Sequence, residues 1–214
     1  MRGFDLLGRM NHENNLLKTR KILGAHLFSA FRDNSLVVQN TFMIKHKEQR
    51  VGIFVDVQNM YHSAKNLYKA NVNFQELLKT AVFGRKLIRA VVYAIISPSG
   101  EEKKFLETLE KQGFEVKVKD LQIFAGGAKK ADWDVGMAVD AIKMADKLDV
   151  VVLVTGDGDF IPLIHYLQEN KGCLVEVVSF AKSTSGKLIE VADDYIDLGA
   201  SPSKYLMRTG GRRR

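Results

Sequence analysis

The feature that most constrains the fold is an apolar run that ends abruptly in aspartates. Residues 150–154 are apolar and mostly β-branched, and the loop 155–159 follows them directly. From Phe160 onwards the apolar residues recur at helical spacing. This pattern is typical of a buried strand, a tight loop and the start of a helix. The loop therefore places two carboxylates, Asp157 and Asp159, at the carboxyl end of a strand.

A second apolar run ends in the same way. Residues 51–55 lead into Asp56, and Asn59 follows three residues later. In an open α/β sheet, ligands bind outside the carboxyl ends of the strands, where the strand order reverses. We therefore expect Asp56 and the loop 155–159 to face one another and to form one acidic site.

Further apolar runs alternate with stretches of helical spacing along the chain. Strands are predicted at residues 51–55, 87–96, 114–118, 149–154 and 174–180, and helices at 59–69, 74–82, 101–112, 132–147, 160–170 and 185–192. Strands that alternate with helices indicate a parallel sheet with helices on both faces. The sequence thus predicts one three-layer α/β domain with a five-stranded, mainly parallel sheet.

The charge of the chain is unevenly distributed. Residues 1–50 hold nine Lys/Arg against four Asp/Glu, and residues 204–214 hold five basic residues and no acid, so residues 51–203 carry −3 of the net +7. This distribution fits a protein whose basic ends bind a polyanion and whose acidic residues in the middle segment bind a cation. Solvated tails explain the basic ends equally well.

Three segments follow from this distribution. We expect a basic N-terminal extension over residues 1–50 with one amphipathic helix, a domain over 51–200 and a basic tail over 201–214. The predicted helix would pack on the domain or on a partner, and a homodimer contact through it stays open. The first residues lack a sustained apolar region, so neither a signal peptide nor a membrane span is predicted. One cysteine, Cys173, excludes an internal disulfide and agrees with a cytoplasmic protein.

The common phosphate-binding and nucleophilic motifs are absent from the sequence. There is no Gly-x-x-x-x-Gly-Lys-Ser/Thr, and the Gly-x-Gly at Gly156 and Gly158 has Ile161 in place of the third glycine. The five histidines show no metal-ligand spacing, and no Ser/His/Asp order stands out. The aspartates are therefore the best candidates for chemistry.

A further carboxylate is available near the start of the helix predicted at 132–147. Asp134 lies there, with Asp132 beside it, and Asp140 is expected to point about a third of a turn away. Converging aspartates repel one another unless a cation neutralises them, and Mg²⁺ or Mn²⁺ takes oxygen ligands. The alternative is that Asp157, Asp159 or Asp132 only caps a helix. One cap needs one aspartate, and the 155–159 loop has two, which favours a functional site.

Four polar residues near the predicted site are candidates for substrate contact. Asn59 would cap a helix or orient a water or a phosphate, and Thr155 would hold a water or form a turn. Lys129 and Lys130 follow two glycines in a basic loop, where they would meet phosphates or only solvate the loop.

These motifs resemble the NYN domain, LabA-like branch, of the PIN-like nuclease superfamily. The matching segments are residues 54–59, 130–140, 154–160, 177–180 and 188–197, within a span from about Val51 to Leu198. The resemblance implies a Rossmann-like sheet of order 3-2-1-4-5, which would bring Asp56 and Asp157 together. It also implies metal-dependent cleavage of RNA, with Asp56, Asp134, Asp157 and Asp159 at the acidic positions of the family.

On this basis we expect a Mg²⁺- or Mn²⁺-dependent ribonuclease that acts on single-stranded or structured RNA. Asp56, Asp134 and Asp157 would bind one or two metal ions and Asp159 would assist them, while Asn59, Thr155, Lys129 and Lys130 would contact the substrate. Two alternatives remain: a non-catalytic RNA-binding or regulatory protein that retains the acidic site, and a structure-specific DNA nuclease.

Overall fold

The computed structural model describes residues 45–123, 129–130 and 132–208. The amphipathic helix expected in the N-terminal extension lies outside these residues, so its packing partner stays a prediction. In the part of the chain that the structure describes, no helix combines the length and the apolar character needed to cross a membrane.

The described residues alternate between strands and helices. In chain order the elements are β1 (Arg50–Asp56), α1 (Val57–Tyr68), β2 (Ala70–Val72), α2 (Phe74–Val82), β3 (Lys86–Ile96), α3 (Lys103–Lys111), β4 (Glu115–Asp120), β5 (Gln122–Ile123), β6 (Lys129–Lys130), α4 (Asp134–Ala145), β7 (Val150–Val154), α5 (Ile161–Lys171), β8 (Leu174–Ser179), α6 (Gly186–Val191), β9 (Asp194–Asp197), α7 (Pro202–Tyr205) and β10 (Leu206–Arg208).

The main sheet has the order β4-β3-β1-β7-β8-β9, and each neighbouring pair is parallel. The five predicted strands and their order 3-2-1-4-5 are confirmed. The sixth strand, β9, was not predicted, because its four residues Asp-Tyr-Ile-Asp begin and end on acids and form a partly exposed edge. β1 lies at the centre, between β3 and β7.

The core consists of two apolar clusters, one on each face of the sheet. Ile53 and Val55 of β1 contribute to the cluster under α1, α2 and α3, whereas Phe54 belongs to the cluster under α4, α5 and α6. Successive residues of a strand point to opposite faces, so this continuous apolar strand is buried on both sides. The three-layer arrangement predicted from the sequence is therefore present.

The chain remains folded beyond residue 200. β10 pairs antiparallel with β2, and Tyr205 is buried with its hydroxyl oxygen 3.1 Å from the hydroxyl oxygen of Thr80. The basic tail expected from residue 201 thus includes residues, up to Arg208, that pack on the domain. The two-residue strands β5 and β6 form a second small antiparallel pair.

A buried group of charged side chains connects Lys45, which precedes β1, with strands β8 and β9. Glu176 of β8 is fully buried, and its two carboxylate oxygens accept hydrogen bonds of 2.6 and 2.9 Å from the guanidinium group of Arg85. Lys45 lies 3.0 Å from the same carboxylate and 2.8 Å from that of Asp194. The charge of Glu176 is therefore compensated where water does not reach it.

Candidate active site

Asp56 ends the central strand β1 and begins helix α1. Its Oδ1 accepts a hydrogen bond of 3.0 Å from the backbone N–H of Asn59, as expected of an N-cap residue. Asp56 lies opposite Tyr93 of β3, and the preceding Val55 lies opposite Val154 of β7. The side chain is thus fixed at the carboxyl edge of the sheet, between the ends of two neighbouring strands.

The loop after β7 presents Asp157 and Asp159. Asp157 caps a short 3-10 turn, Gly158–Phe160, and its Oδ1 accepts a hydrogen bond of 2.9 Å from the backbone N–H of Asp159. Thr155 has no exposed surface, and its Oγ1 accepts a hydrogen bond of 3.2 Å from the N–H of Asp157. The structure therefore places Thr155 under the loop, where it positions Asp157, and not on the surface where it was expected to meet substrate.

Asn59 ties the two acidic loops together. Its side-chain oxygen accepts a hydrogen bond of 2.9 Å from the backbone N–H of Gly156. A third loop also packs closely here, since Ser185 donates its N–H to the carbonyl oxygen of Gly156 at 3.0 Å. A Cβ on Gly156 would lie only 2.9 Å from the carbonyl oxygen of Ser183, so the loop needs glycine at this position.

Asp134 reaches the same edge because the start of α4 is anchored to β3. The indole Nε1 of Trp133 donates a hydrogen bond of 2.9 Å to the carbonyl oxygen of Ala94, and the indole ring packs on Tyr93. A Cβ on Gly136 would lie 2.6 Å from this ring, so glycine permits the packing. Asp134 is the first residue of the helix that Trp133 precedes.

The carboxyl groups at this edge lie within electrostatic reach of one another, since the charges of Asp134 and Asp157 both act on Asp56. Burial, together with the charges of Asp134 and Asp157, raises the pKa of Asp56 to about 6, against the hydrogen bond from Asn59. Burial also raises the pKa of Asp134, followed by the charges of Asp157, Asp132 and Asp159. The structure thus brings Asp56, Asp134 and Asp157 to one acidic cluster, which is the name used for these three residues below.

The acidic cluster offers the donor chemistry of a hard divalent cation. Within the described ranges, no three His, Cys, Asp or Glu side chains are close enough to hold a metal ion as a group. Mg²⁺, however, is usually held by one or two carboxylates, with water and substrate phosphates as its remaining ligands. Asp157 uses only Oδ1 for its capping bond, and no hydrogen bond from a described residue reaches its Oδ2. The raised pKa values of Asp56 and Asp134 and the free oxygen of Asp157 fit such an ion.

The other predicted acids are placed differently. Asp159 is exposed at the end of the loop, and Asp132 is exposed just before α4. Asp140 is occupied elsewhere: its Oδ2 is 2.6 Å from Nζ of Lys117 and accepts a hydrogen bond of 2.9 Å from the Tyr93 hydroxyl. Burial acts to raise the pKa of Asp140, but these two hydrogen bonds bring it below its ordinary value.

The contact of Lys129 and Lys130 with phosphates stays a prediction, and the structure adds a further lysine beside the start of α4. The backbone of Lys129 and Lys130 pairs with β5, while their side chains lie outside the described part of the structure. Sequence reasoning missed Lys119, whose Nζ lies 4.7 Å from the centroid of the Trp133 ring and donates a hydrogen bond of 2.7 Å to the carbonyl oxygen of Asp132. The alternating lysines at 117 and 119, near the carboxyl end of β4, are the signal that would have found it.

Comparisons with known proteins found a matching family model and two similar proteins. The model of the NYN domain matches residues 50–199. The low amplitude and bright protein LabA of Synechococcus elongatus is 26% identical over 162 residues, which cover 71% of this chain and 85% of that protein. An uncharacterised protein of Methanocaldococcus jannaschii is 30% identical over 154 residues, 71% of this chain, and this chain spans 56% of that protein's length.

A solved structure shares the fold. The crystal structure of a protein of unknown function from Vibrio parahaemolyticus superposes with a TM-score of 0.69 at 33% sequence identity. The match covers 77% of this chain and all of that one.

Proposed function

This chain belongs to the NYN domain family, within the PIN-like nuclease superfamily, and from that membership we propose that it is a Mg²⁺- or Mn²⁺-dependent ribonuclease. The observation that carries the proposal is the acidic cluster at the carboxyl edge of the central strands. Asp56, Asp134 and Asp157 come from three separate segments, and the charges of the latter two help to raise the pKa of Asp56 to about 6. Such a group of carboxylates suits a divalent cation and a phosphodiester substrate.

The acidic cluster would hold the ion, and the chemistry supplied there would be polarisation of the scissile phosphate and activation of a water molecule for in-line attack. Asp159, exposed at the end of the same loop, would orient that water. Asn59 and Thr155 position the loop through their hydrogen bonds to Gly156 and Asp157. Products would carry 5′-phosphate and 3′-hydroxyl ends.

Basic residues would supply the part of RNA binding that is independent of sequence. Lys119 lies next to the start of α4, and Lys129 and Lys130 precede the same helix along the chain. Together with the basic ends of the chain they would attract the phosphate backbone, so RNA affinity should fall with rising salt.

The test compares aspartates that lie close together but differ in their contacts. Purified protein is incubated with end-labelled single-stranded and structured RNA in Mn²⁺, Mg²⁺ or EDTA, beside Asp56→Asn, Asp134→Asn and Asp157→Asn. Asp140→Asn is the matched control, since it lies on the same helix as Asp134 but is paired with Lys117. We expect ion-dependent cleavage by the wild type and Asp140→Asn only. Equal cleavage by all five proteins would identify a contaminant and remove the support for the proposal.

A second candidate, a non-catalytic RNA-binding or regulatory protein, has two observations in its favour. Asp56 and Asp157 each make a local capping bond, and no three acidic or His/Cys side chains among the described residues form a ready metal-binding group. RNA binding that is unaffected by EDTA, with no cleavage in any ion, would support this candidate. A parallel panel of DNA substrates separates ribonuclease from structure-specific DNA cleavage.

A further inference from the structure

A cavity of about 520 Å³ opens beside the acidic cluster. Val57 and Gln58, the two residues after Asp56, line it, and so do Ala94 and Ile95 near the carboxyl end of β3. It therefore continues the same edge of the sheet on the side of α1 and α3. Its volume lies within the range of roughly 300–1,000 Å³ that is typical of small-molecule sites.

Aromatic rings with exposed surface line the cavity. Tyr61 is 49% exposed and Phe105 is 38% exposed, and the ring of His62 meets that of Tyr61 edge to face. Phe105 is backed by the buried Phe74, with ring centroids 5.6 Å apart. Rings that are held from behind and open to solvent are suited to stacking against unpaired bases of single-stranded RNA.

The charges around the cavity favour a base over a phosphate. Its described lining contains two carboxylates, Glu101 and Glu102, and neither lysine nor arginine. Glu102 accepts hydrogen bonds from the N–H and the hydroxyl of Ser97, at 3.3 and 2.9 Å. Glu101 is exposed and accepts no hydrogen bond from a described residue. A carboxylate repels a phosphate but accepts a hydrogen bond from the amino group of cytosine.

A cation for the adjoining phosphate lies just outside the lining. Nζ of Lys65, one helical turn after Tyr61, is 5.6 Å from the centroid of the Tyr61 ring. A cation thus lies against one of the rings that line the cavity.

We propose that this cavity is a nucleobase subsite, which takes one unpaired base of RNA next to the phosphate at the acidic cluster. Tyr61 and Phe105 stack on the base, and Glu101 accepts a hydrogen bond from its amino group, so cytosine binds better than uracil. The position of the scissile phosphate rests on the proposed function, but the binding of the base does not require cleavage.

The test measures binding in EDTA, where ion-dependent cleavage does not interfere. Fluorescein-labelled oligocytidylate, oligouridylate and an abasic oligomer of equal length are titrated with protein and followed by fluorescence anisotropy. Because each ring would stack on the base, Tyr61→Leu and Phe105→Leu should each weaken oligocytidylate binding roughly tenfold and leave abasic binding unchanged. Glu101→Gln should abolish the preference for oligocytidylate over oligouridylate. Tyr166→Leu is the matched control, since Tyr166 is 39% exposed on α5 and does not line the cavity.

The outcomes separate this inference from the nuclease proposal. Unchanged oligocytidylate affinity in both Tyr61→Leu and Phe105→Leu would overturn the subsite, and so would equal affinity of the wild type for the oligocytidylate and abasic probes. Weaker binding by the two variants, in a protein that never cleaves RNA, would support the subsite while refuting the nuclease. Leucine retains apolar contact with the packing residues, and thermal melting confirms that each variant is folded.

Discussion

Replacing Asp56 by asparagine should stabilise the metal-free protein at neutral pH while it removes a proposed catalytic group. Burial, and then the charges of Asp134 and Asp157, raise the pKa of Asp56 from its ordinary value of 3.8 to about 6. Each pKa unit corresponds to about 1.4 kcal/mol, so the ionised carboxylate destabilises the folded protein by about 3 kcal/mol at pH 8. Asparagine can still accept the capping hydrogen bond from Asn59 and carries no charge. Asp56→Asn should therefore increase the free energy of unfolding by up to about 3 kcal/mol.

The extra stability of Asp56→Asn over the wild type should shrink as the pH falls. The folded protein holds the proton of Asp56 up to about pH 6, whereas the unfolded chain loses it near 3.8. The wild type therefore gains stability, relative to the variant, as the pH falls through 6, and the advantage of the variant disappears below the unfolded pKa. Urea denaturation of both proteins in EDTA at pH 8, 6 and 4 measures this difference.

Asp140→Asn provides a control of opposite sign. The hydrogen bonds from Lys117 and Tyr93 bring the pKa of Asp140 below its ordinary value despite partial burial, so its negative charge stabilises the folded protein at neutral pH. Asp140→Asn should accordingly lower stability at pH 8, with an effect that fades as the pH falls through the folded pKa. The argument about the acidic cluster would be refuted if Asp56→Asn were no more stable than the wild type at pH 8. It would also be refuted if the stability difference between the two proteins were the same at every pH.

Three further predictions concern contacts that hold the fold and the site. Glu176→Ala should lower the free energy of unfolding by about 3–5 kcal/mol, because it leaves the buried guanidinium of Arg85 without its carboxylate partner. An Arg85→Met/Glu176→Met double variant should recover much of that loss, as measured by urea denaturation. Asn59→Ala should lower RNA cleavage by roughly tenfold or more, with a stability loss of only about 1 kcal/mol, because it frees the loop at Gly156; unchanged cleavage would mean that this tie is dispensable. Gly156→Ala should cost about 1–3 kcal/mol by crowding a neighbouring carbonyl, whereas Gly186→Ala, whose Cβ would meet nothing within 4 Å, should not destabilise the fold.

The sequence was sufficient for the elements whose pattern is long and local. Apolar runs such as β1 and β7 are buried on both faces, and their consecutive apolar residues are enough to predict this burial. The placement of Asp56 and Asp157 at one edge of the sheet followed from one topological rule, since Asp56 ends β1 and Asp157 lies in the loop after the neighbouring parallel strand β7. The three-residue strands β2 and β10 were missed because their pairing joins segments more than 130 residues apart and leaves no local period.

The finer parts of the site could not be predicted, because they depend on contacts between distant side chains. Nothing in the local sequence indicates that the Asn59 side chain accepts a hydrogen bond from the N–H of Gly156. The same holds for the hydrogen bond that the Trp133 indole donates to the carbonyl oxygen of Ala94. For Thr155 the sequence left a water contact and a turn residue open, and its complete burial, which is set by the surrounding loops, favours the turn.

The capping bond of Asp56 does not account for the presence of a charge at this position. Asparagine and serine cap helices about as well as aspartate, and neither would suffer the electrostatic penalty that raises the pKa of Asp56. A purely structural cap would therefore favour a neutral side chain at the end of β1. The same reasoning applies to Asp134, whose pKa is raised although its carboxylate makes no capping bond. The buried charges of Asp56 and Asp134 thus oppose the metal-free fold in a way that capping does not require, which supports the divalent cation proposed for this site.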